Sequence, residues 1–150
     1  PRLGSYCFIG VIISDFEPSR YSLPEERNFC GQCNRCVETC PTGALSSHEV
    51  NANLCISYNS FERKDDIPSE IKKKMGDRFF FISDGCDACQ EVCPWNRKAV
   101  LHHVEEFSPN EWLMRMSRDE WLALDEEAFQ VRFKESPLQR PGLERIKHNL

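Results

Sequence analysis

Eight of the nine cysteines in this 150-residue chain stand in two groups whose spacing suits the binding of iron–sulfur clusters. The first reads Cys30-Gly31-Gln32-Cys33-Asn34-Arg35-Cys36-Val37-Glu38-Thr39-Cys40-Pro41, a C-x2-C-x2-C-x3-C-P run without deviation. The second reads Cys86-Asp87-Ala88-Cys89-Gln90-Glu91-Val92-Cys93-Pro94, and Cys55 stands well upstream of it, in the place of a displaced first cysteine. In two-cluster iron–sulfur proteins the fourth cysteine of such a run ligates the other cluster. The reason is geometric. Cysteines three apart on a tightly wound loop wrap three corners of a cubane. The next one, followed by a proline that stops the local helix, is carried away toward a neighbour. The spacing therefore predicts one [4Fe-4S] cluster on Cys30, Cys33, Cys36 and Cys93 and a second on Cys55, Cys86, Cys89 and Cys40. Such a pair is suited to moving electrons, and neither cluster forms without both halves of the chain.

Other readings of these cysteines are weaker. Structural zinc takes C-x2-C pairs, but eight ligands in this triple spacing with Cys-Pro closing both groups are foreign to zinc sites. A disulfide framework needs an oxidising compartment, and the sequence has no apolar signal segment and no stretch of transmembrane length. A reducing, cytoplasmic setting without membrane attachment is expected. Cys7, the ninth, lies in the apolar run Tyr6 to Ile13 and is predicted to be a small buried hydrophobe. His102 and His103 are adjacent, so their side chains diverge, and a solvated pair is expected. The sequence holds no phosphate-cradling glycine loop, no nucleophile–base pattern and no paired carboxylates beyond helix surface charge, so no catalytic residue is assigned.

The elements that must position the cysteines follow from local signals. Residues 5–14 read as an opening strand, and 15–29 as a loop carrying Pro18 and Pro24. One helical turn is predicted at Arg35–Thr39, and a short hairpin from Ala44-Leu45 and Glu49-Val50-Asn51. Residues 56–62 read as helical. Pro68-Ser69-Glu70 starts a helix that ends at Gly76, with Lys72, Lys73 and Lys74 at its C-terminus where the dipole favours cations. In the tail, Ser108-Pro109-Asn110-Glu111 reads as a capping box opening a helix with Trp112, Leu113 and Met116 on one face. Ser117-Arg118-Asp119-Glu120 repeats the signal before Trp121, Leu122 and Leu124. Asp125 is placed to cap a third helix with Ala128, Phe129 and Phe133, and 143–150 form a last amphipathic stretch. Helical spacing makes packing the default role of these apolar residues.

At 150 residues and 40% hydrophobic with nine prolines, the chain has a modest core. Cluster binding is therefore expected to contribute heavily to folding. The net charge of −5 is uneven: residues 130–150 carry +3 and the remainder −8. A basic end is compatible with a nucleic-acid contact, although a solvated helix face is the commoner origin of such a density. Because the chain enters an apolar strand at once from Pro1, it is expected to be the later part of a longer polypeptide.

Taken together, several of these stretches resemble epoxyqueuosine reductases. They are Gly4-Ser5 with Ile9-Gly10, Cys30-Gly31-Gln32-Cys33 through Cys40-Pro41-Thr42-Gly43-Ala44, Cys55-Ile56-Ser57-Tyr58, Gly85-Cys86-Asp87-Ala88-Cys89-Gln90, and Val92-Cys93-Pro94-Trp95-Asn96. The segment 133–136, Arg140 and the end 145–149 resemble the same family after its clusters. Cys-Pro-Thr-Gly-Ala is common to many ferredoxins, whereas Cys-Ile-Ser-Tyr with Cys-Pro-Trp-Asn is far more specific. The resemblance implies an α+β fold with three parts. Residues 1–28 would end an upstream cobalamin-binding domain, 29–98 would form a ferredoxin-like double [4Fe-4S] domain, and 99–150 a helical C-terminal segment. It implies an oxidoreductase that reduces epoxyqueuosine to queuosine in tRNA, with two clusters relaying electrons to the cobalt of cobalamin. The partners it implies are tRNA with a queuosine-type anticodon loop and a protein electron donor, and a monomer is expected.

In the family most of the cobalamin-binding fold and the catalytic acid lie upstream of the segment present here, so this segment alone is expected to be inactive. By the same resemblance Ser57, Asp87 and Ala88 approach the corrin, and Glu62, Arg63 and Lys64 face tRNA. For Ser57 and Asp87 the alternative is bonding to local loop amides or cluster sulfurs. For Glu62, Arg63 and Lys64 it is an ordinary surface helix end. The competing function is a stand-alone ferredoxin-type carrier, or the electron-transfer part of another cobalamin enzyme such as a reductive dehalogenase. Neither explains Cys55-Ile56-Ser57-Tyr58 or the helical tail as well.

Overall fold

A computed structural model describes residues 4–7, 9–76, 86–108 and 110–150. Seven α-helices and one two-stranded sheet are found among them. In order these are α1 (Arg35–Thr39), β1 (Leu45–Ser46), β2 (Glu49–Val50), α2 (Ser69–Met75), α3 (Ala88–Glu91), α4 (Glu111–Arg115), α5 (Arg118–Ala123), α6 (Glu126–Arg132) and α7 (Gly142–Asn149). The hairpin is antiparallel, with Leu45 opposite Val50 and Ser46 opposite Glu49. Mixed helices with a small sheet agree with the expected class, as do the turn at Arg35–Thr39 and the hairpin. Gly76, with φ of +54°, ends α2 at the predicted place in a conformation that favours glycine.

Two apolar clusters carry the fold. Ile56, Ile67, Ile71 and Met75 pack together, with Leu54 and Cys86 against them. Trp121, Leu124, Phe129, Phe133, Leu138, Leu143 and Ile146 form the second, in the tail. Phe61 reaches into this second cluster from the segment after Cys55, so the tail is seated on the cysteine-bearing part. Segment 56–62 is wound as expected but becomes a π-helix at Tyr58–Glu62, a winding often found at functional sites. The Asn149 amide, 1% exposed, donates to the Ser60 carbonyl at 2.9 Å and locks α7 onto that π-helix.

Three local expectations are corrected. The described residues of 5–14 form no strand, and Ile12 and Ile13 stand 93% and 96% exposed. A strand needs a neighbouring strand for its amides; among the described residues here the Ser5 amide goes instead to Asn96 and the Cys7 amide to the Ser5 carbonyl. Cys7 is exposed for the same reason. The helix expected from Ser108 starts later: Ser108 closes a 3-10 turn by donating its N–H to Glu105 at 2.9 Å, and Asn110 caps α4 instead. Pro109 and Gly85 lie outside the described residues.

The second capping box forms as read. The Glu120 carboxylate accepts from the Ser117 amide at 2.7 Å and the Ser117 hydroxyl at 2.8 Å, while the Glu120 amide donates back at 3.2 Å. The bond from the Ser117 amide, followed by that from its hydroxyl, holds the Glu120 carboxyl below the usual carboxylate range. Its contribution to stability is therefore complete above the unfolded pKa and is lost as pH falls through the lower, folded value. Ser117→Ala, which removes the hydroxyl but keeps the backbone amide, is expected to cost about 1 kcal/mol and to flatten this acid limb in part, as read by urea unfolding over a series of pH values. An acid limb unchanged by the substitution would contradict this account.

Candidate metal centre

The first cysteine group is shaped by local hydrogen bonds. The Asn28 side-chain oxygen accepts from the amides of Cys30 (3.0 Å) and Gly31 (3.3 Å), and Cys33 N–H closes back on the Cys30 carbonyl at 3.0 Å. This turn leads into α1, which carries Cys36. Cys40 then ends α1 with φ −64° and ψ 113°, and Pro41 forbids further helix. The end of the second group repeats this conformation: Cys93, after α3, has φ −66° and ψ 121° and is followed by Pro94. Both prospective crossing ligands thus leave their helix in the same extended conformation.

The two groups face one another through packing of α1 against α3. Phe29, beside Cys30, meets Trp95, two residues past Cys93, edge to face at 6.3 Å. The turn after Cys93 is thereby held beside the Cys30 loop. On the other side, burial pushes the Cys89 thiol up. The charges of Cys86, Cys55 and Asp87 add to this effect, against an opposing bond from its own amide. Cys55, Cys86 and Cys89 therefore share one electrostatic neighbourhood although Cys55 is remote in sequence.

Cys40 sits in a bonded cradle. Its sulfur accepts the Ala44 amide at 3.2 Å and lies 3.6 Å from the Thr42 hydroxyl, while the hairpin holds Ala44 through the Asn51 amide at 2.8 Å. Burial opposes ionisation of this thiol, but the Thr42 hydroxyl and the amides of Ala44, Thr42 and Leu45 outweigh it and hold the thiol below its ordinary value. Such donors favour a thiolate, the form that binds metal.

All nine cysteines are free of disulfides. Among the described residues no three His, Cys, Asp or Glu side chains converge closely enough to hold one metal ion. Tetrahedral zinc requires sulfurs at about 2.3 Å from a single centre, whereas a cubane spreads its four thiolates over four irons. The donor set, all sulfur and dispersed, fits clusters better than a single ion.

Cys55 is placed by a residue the sequence reading passed over. Asn59, fully buried, donates through its side-chain nitrogen to the carbonyls of Cys55 (2.8 Å) and Asn53 (2.9 Å). Its oxygen accepts from Arg63 at 3.2 Å. An asparagine one helical turn after a lone cysteine was the available signal. Ser57 is half-buried at the start of the π-helix, Asp87 is exposed immediately before α3, and Ala88 is its first residue. Burial raises the Tyr6 phenol above its ordinary value, and the charges of Asp87, Glu91 and Cys89 add to this, so Tyr6 lies over the same helix.

The residues expected to face tRNA are partly engaged within the chain. Glu62 pairs with Arg140 at 2.7 Å, Arg63 is bound to Asn59, and Lys64 is exposed. Arg145 donates to the Asp65 carbonyl at 3.0 Å and His148 stands 3.4 Å from Asp66, so the basic tail is tied to segment 62–66. Between them runs an open groove of about 600 Å³ bordered by Arg63, Lys64, Arg140 and Arg145 and also by the carboxylates of Glu62, Asp66 and Glu144. His102 is exposed and lies edge to face with Phe107 at 5.3 Å, and its Nδ1 accepts the Val104 amide, so this ring serves its own loop. No helix among the described residues is long and apolar enough to cross a membrane.

The cysteine site has the donor set of an iron–sulfur protein, and the family described as "4Fe-4S double cluster binding domain" matches residues 29–96. Over nearly its whole length the chain is similar to epoxyqueuosine reductases. It is 42% identical over 149 residues to the epoxyqueuosine reductase of Leadbetterella byssophila, covering 99% of this chain and 47% of that protein. To the epoxyqueuosine reductase of Escherichia coli K12 it is 38% identical over 148 residues, covering 98% and 38%. The crystal structure of an epoxyqueuosine reductase with an epoxyqueuosine-modified tRNA-Tyr stem loop superposes with a TM-score of 0.73 and 32% identity, over 89% of this chain and 34% of that one. The chain spans less than half the length of these relatives.

Proposed function

We propose that this chain is the electron-relay part of an epoxyqueuosine reductase, an oxidoreductase that converts epoxyqueuosine to queuosine in tRNA in the cytoplasm. The observation that carries the reading is the double-cluster cysteine site within a chain that is 42% identical over 149 residues to such a reductase. Cys30, Cys33, Cys36 and Cys93 would hold one cluster, and Cys55, Cys86, Cys89 and Cys40 the other. With a protein as electron donor, the cluster that Cys55, Cys86, Cys89 and Cys40 would hold would supply one-electron transfer at the side of the site nearer the corrin. Ser57, Asp87 and Ala88 border that second cluster and offer a polar edge to a corrin held mostly by other parts of the longer enzyme. When bound, cobalamin would supply a strongly nucleophilic reduced cobalt for the opening of the epoxide. The groove bordered by Arg63, Lys64, Arg140 and Arg145 supports a contact with tRNA phosphates, which such side chains position without reading sequence.

The test is conversion of epoxyqueuosine to queuosine in tRNA, followed by mass. The polypeptide that includes the upstream domain, supplied with cobalamin and a protein reductant, is expected to turn over. Residues 1–150 alone are expected not to, and Cys89→Ala in the longer enzyme is expected to abolish turnover with that reductant. Conversion by the 150-residue chain, or by the longer enzyme without cobalamin, would remove the relay assignment.

A further inference from the structure

Asn96 follows the second Cys-Pro pair and lies in the 3-10 turn Pro94–Lys98. Its side chain bridges two distant parts of the chain. The oxygen accepts the Ser5 amide at 2.6 Å, and the nitrogen donates to the Ser5 hydroxyl at 2.9 Å and to the Gln90 carbonyl at 2.6 Å. Its own amide donates to the Cys93 carbonyl at 3.0 Å, and the Cys93 amide donates to that same Gln90 carbonyl at 3.1 Å. Cys93 and the Asn96 side chain are therefore anchored on one oxygen, and Ser5 is pinned to both from 91 residues away.

Gly4 is fitted to this clasp. Its φ is +75°, and a Cβ there would run into Asn96 Oδ1 and press on the Trp95 carbonyl. Both the backbone conformation and the close approach demand glycine. Beyond Ser5 the segment continues over α3, where Tyr6 enters the electrostatic surroundings of Asp87, Glu91 and Cys89.

We propose that Asn96 is the positioning residue of the Cys93 ligand, and that through it the Gly4-Ser5 segment sets the geometry of the cluster Cys93 completes. This inference rests on the two-cluster reading and adds a coupling between that cluster and the chain that precedes the cysteines. Asn96 touches no iron; it acts by holding Gln90 and the Cys93 turn. Movement of the Gly4-Ser5 segment is thereby transmitted to a ligand thiolate.

The test uses the reconstituted polypeptide that contains this chain, with each cluster followed by electron paramagnetic resonance during a redox titration. Asn96→Ala is expected to alter the signal of the Cys93-ligated cluster and to move its one-electron reduction equilibrium at least tenfold, about 59 mV. The cluster on Cys55, Cys86 and Cys89 should keep its signal. Gly4→Ala, which leaves Asn96 in place but crowds it, is expected to produce the same selective change even if Asn96→Ala folds poorly. Because the two substitutions break one linkage, their effects should be less than additive when combined. A shift below twofold in both variants overturns the proposal, and so does equal iron loss from both clusters, which marks general destabilisation. Failure of the two-cluster reading would be seen separately, in the iron content of the unsubstituted protein.

Discussion

Cys93→Ala is expected to strip the cluster on Cys30, Cys33 and Cys36 while sparing the one on Cys55, Cys86 and Cys89. Cys40→Ala is expected to do the reverse. The unsubstituted protein, reconstituted anaerobically, should bind about eight iron and eight sulfide, and each variant about half of each, by the two-cubane ligand count. The basis is conformational: Cys40 and Cys93 each leave a helix extended, at ψ 113° and 121°, ahead of a proline. Each thus breaks from the helical winding that carries the thiol before it. The Phe29–Trp95 contact further holds the Cys93 turn beside Cys30. Iron and sulfide analysis with resonance spectra of each variant decides the matter. If each substitution damaged the cluster of its own group, the crossed assignment would be wrong. Zinc in place of iron would overturn the centre itself. Because the buried apolar residues fall into two small groups, loss of one cluster should also loosen the cysteine-bearing region, as metal removal does in small domains.

Phe129→Ala is expected to destabilise the tail by about 3–5 kcal/mol, the usual cost of truncating a buried phenylalanine. Phe129 is fully buried, and its ring centre lies 4.9 Å from that of Phe133, which stacks on Trp121 at 5.4 Å. Truncation leaves a cavity at the centre of the cluster that α5, α6 and α7 share. Chemical unfolding followed by far-ultraviolet circular dichroism measures the loss. The visible absorption of the clusters at zero denaturant should remain, since no cysteine lines this core and Cys86 packs against the other apolar group. A cost under 1 kcal/mol would show that the tail is not held by this core. Bleaching of both clusters in the native protein would show that the tail and the centre do not stand as separate packing units.

The cysteine centre was legible in the sequence because ligand spacing is a local property, and a proline after Cys40 or Cys93 acts on its own neighbours. The same holds for Ser117 with Glu120, for Asp125 ahead of Ala128, and for Gly76, where capping depends on residues within one turn. The reading of 5–14 as a strand used apolar content alone. Whether such a run becomes a strand depends on a partner for its amides, and among its described residues the Ser5 amide goes to Asn96 and the Cys7 amide back to the Ser5 carbonyl, neither of them a strand partner. Ser108 carried a capping pattern too, yet its amide was already committed to Glu105, a competition that residue types do not reveal.

The positioning residues needed the tertiary structure. Asn59 and Asn96 are polar side chains whose types fit equally well on a surface. Their roles appear only when the fold brings Asn53 and Cys55 onto one amide and Ser5 and Gln90 onto the other. The basic tail is a similar case: its composition allowed a nucleic-acid contact, and folding commits Arg140 and Arg145 to Glu62 and Asp65 along the edge of the groove. The sequence by itself determined which atoms can ligate iron, because thiol identity and short-range spacing are written in it. Tertiary structure decided what holds those thiols in place, because a hydrogen bond across 91 residues has no signature until the chain closes on itself.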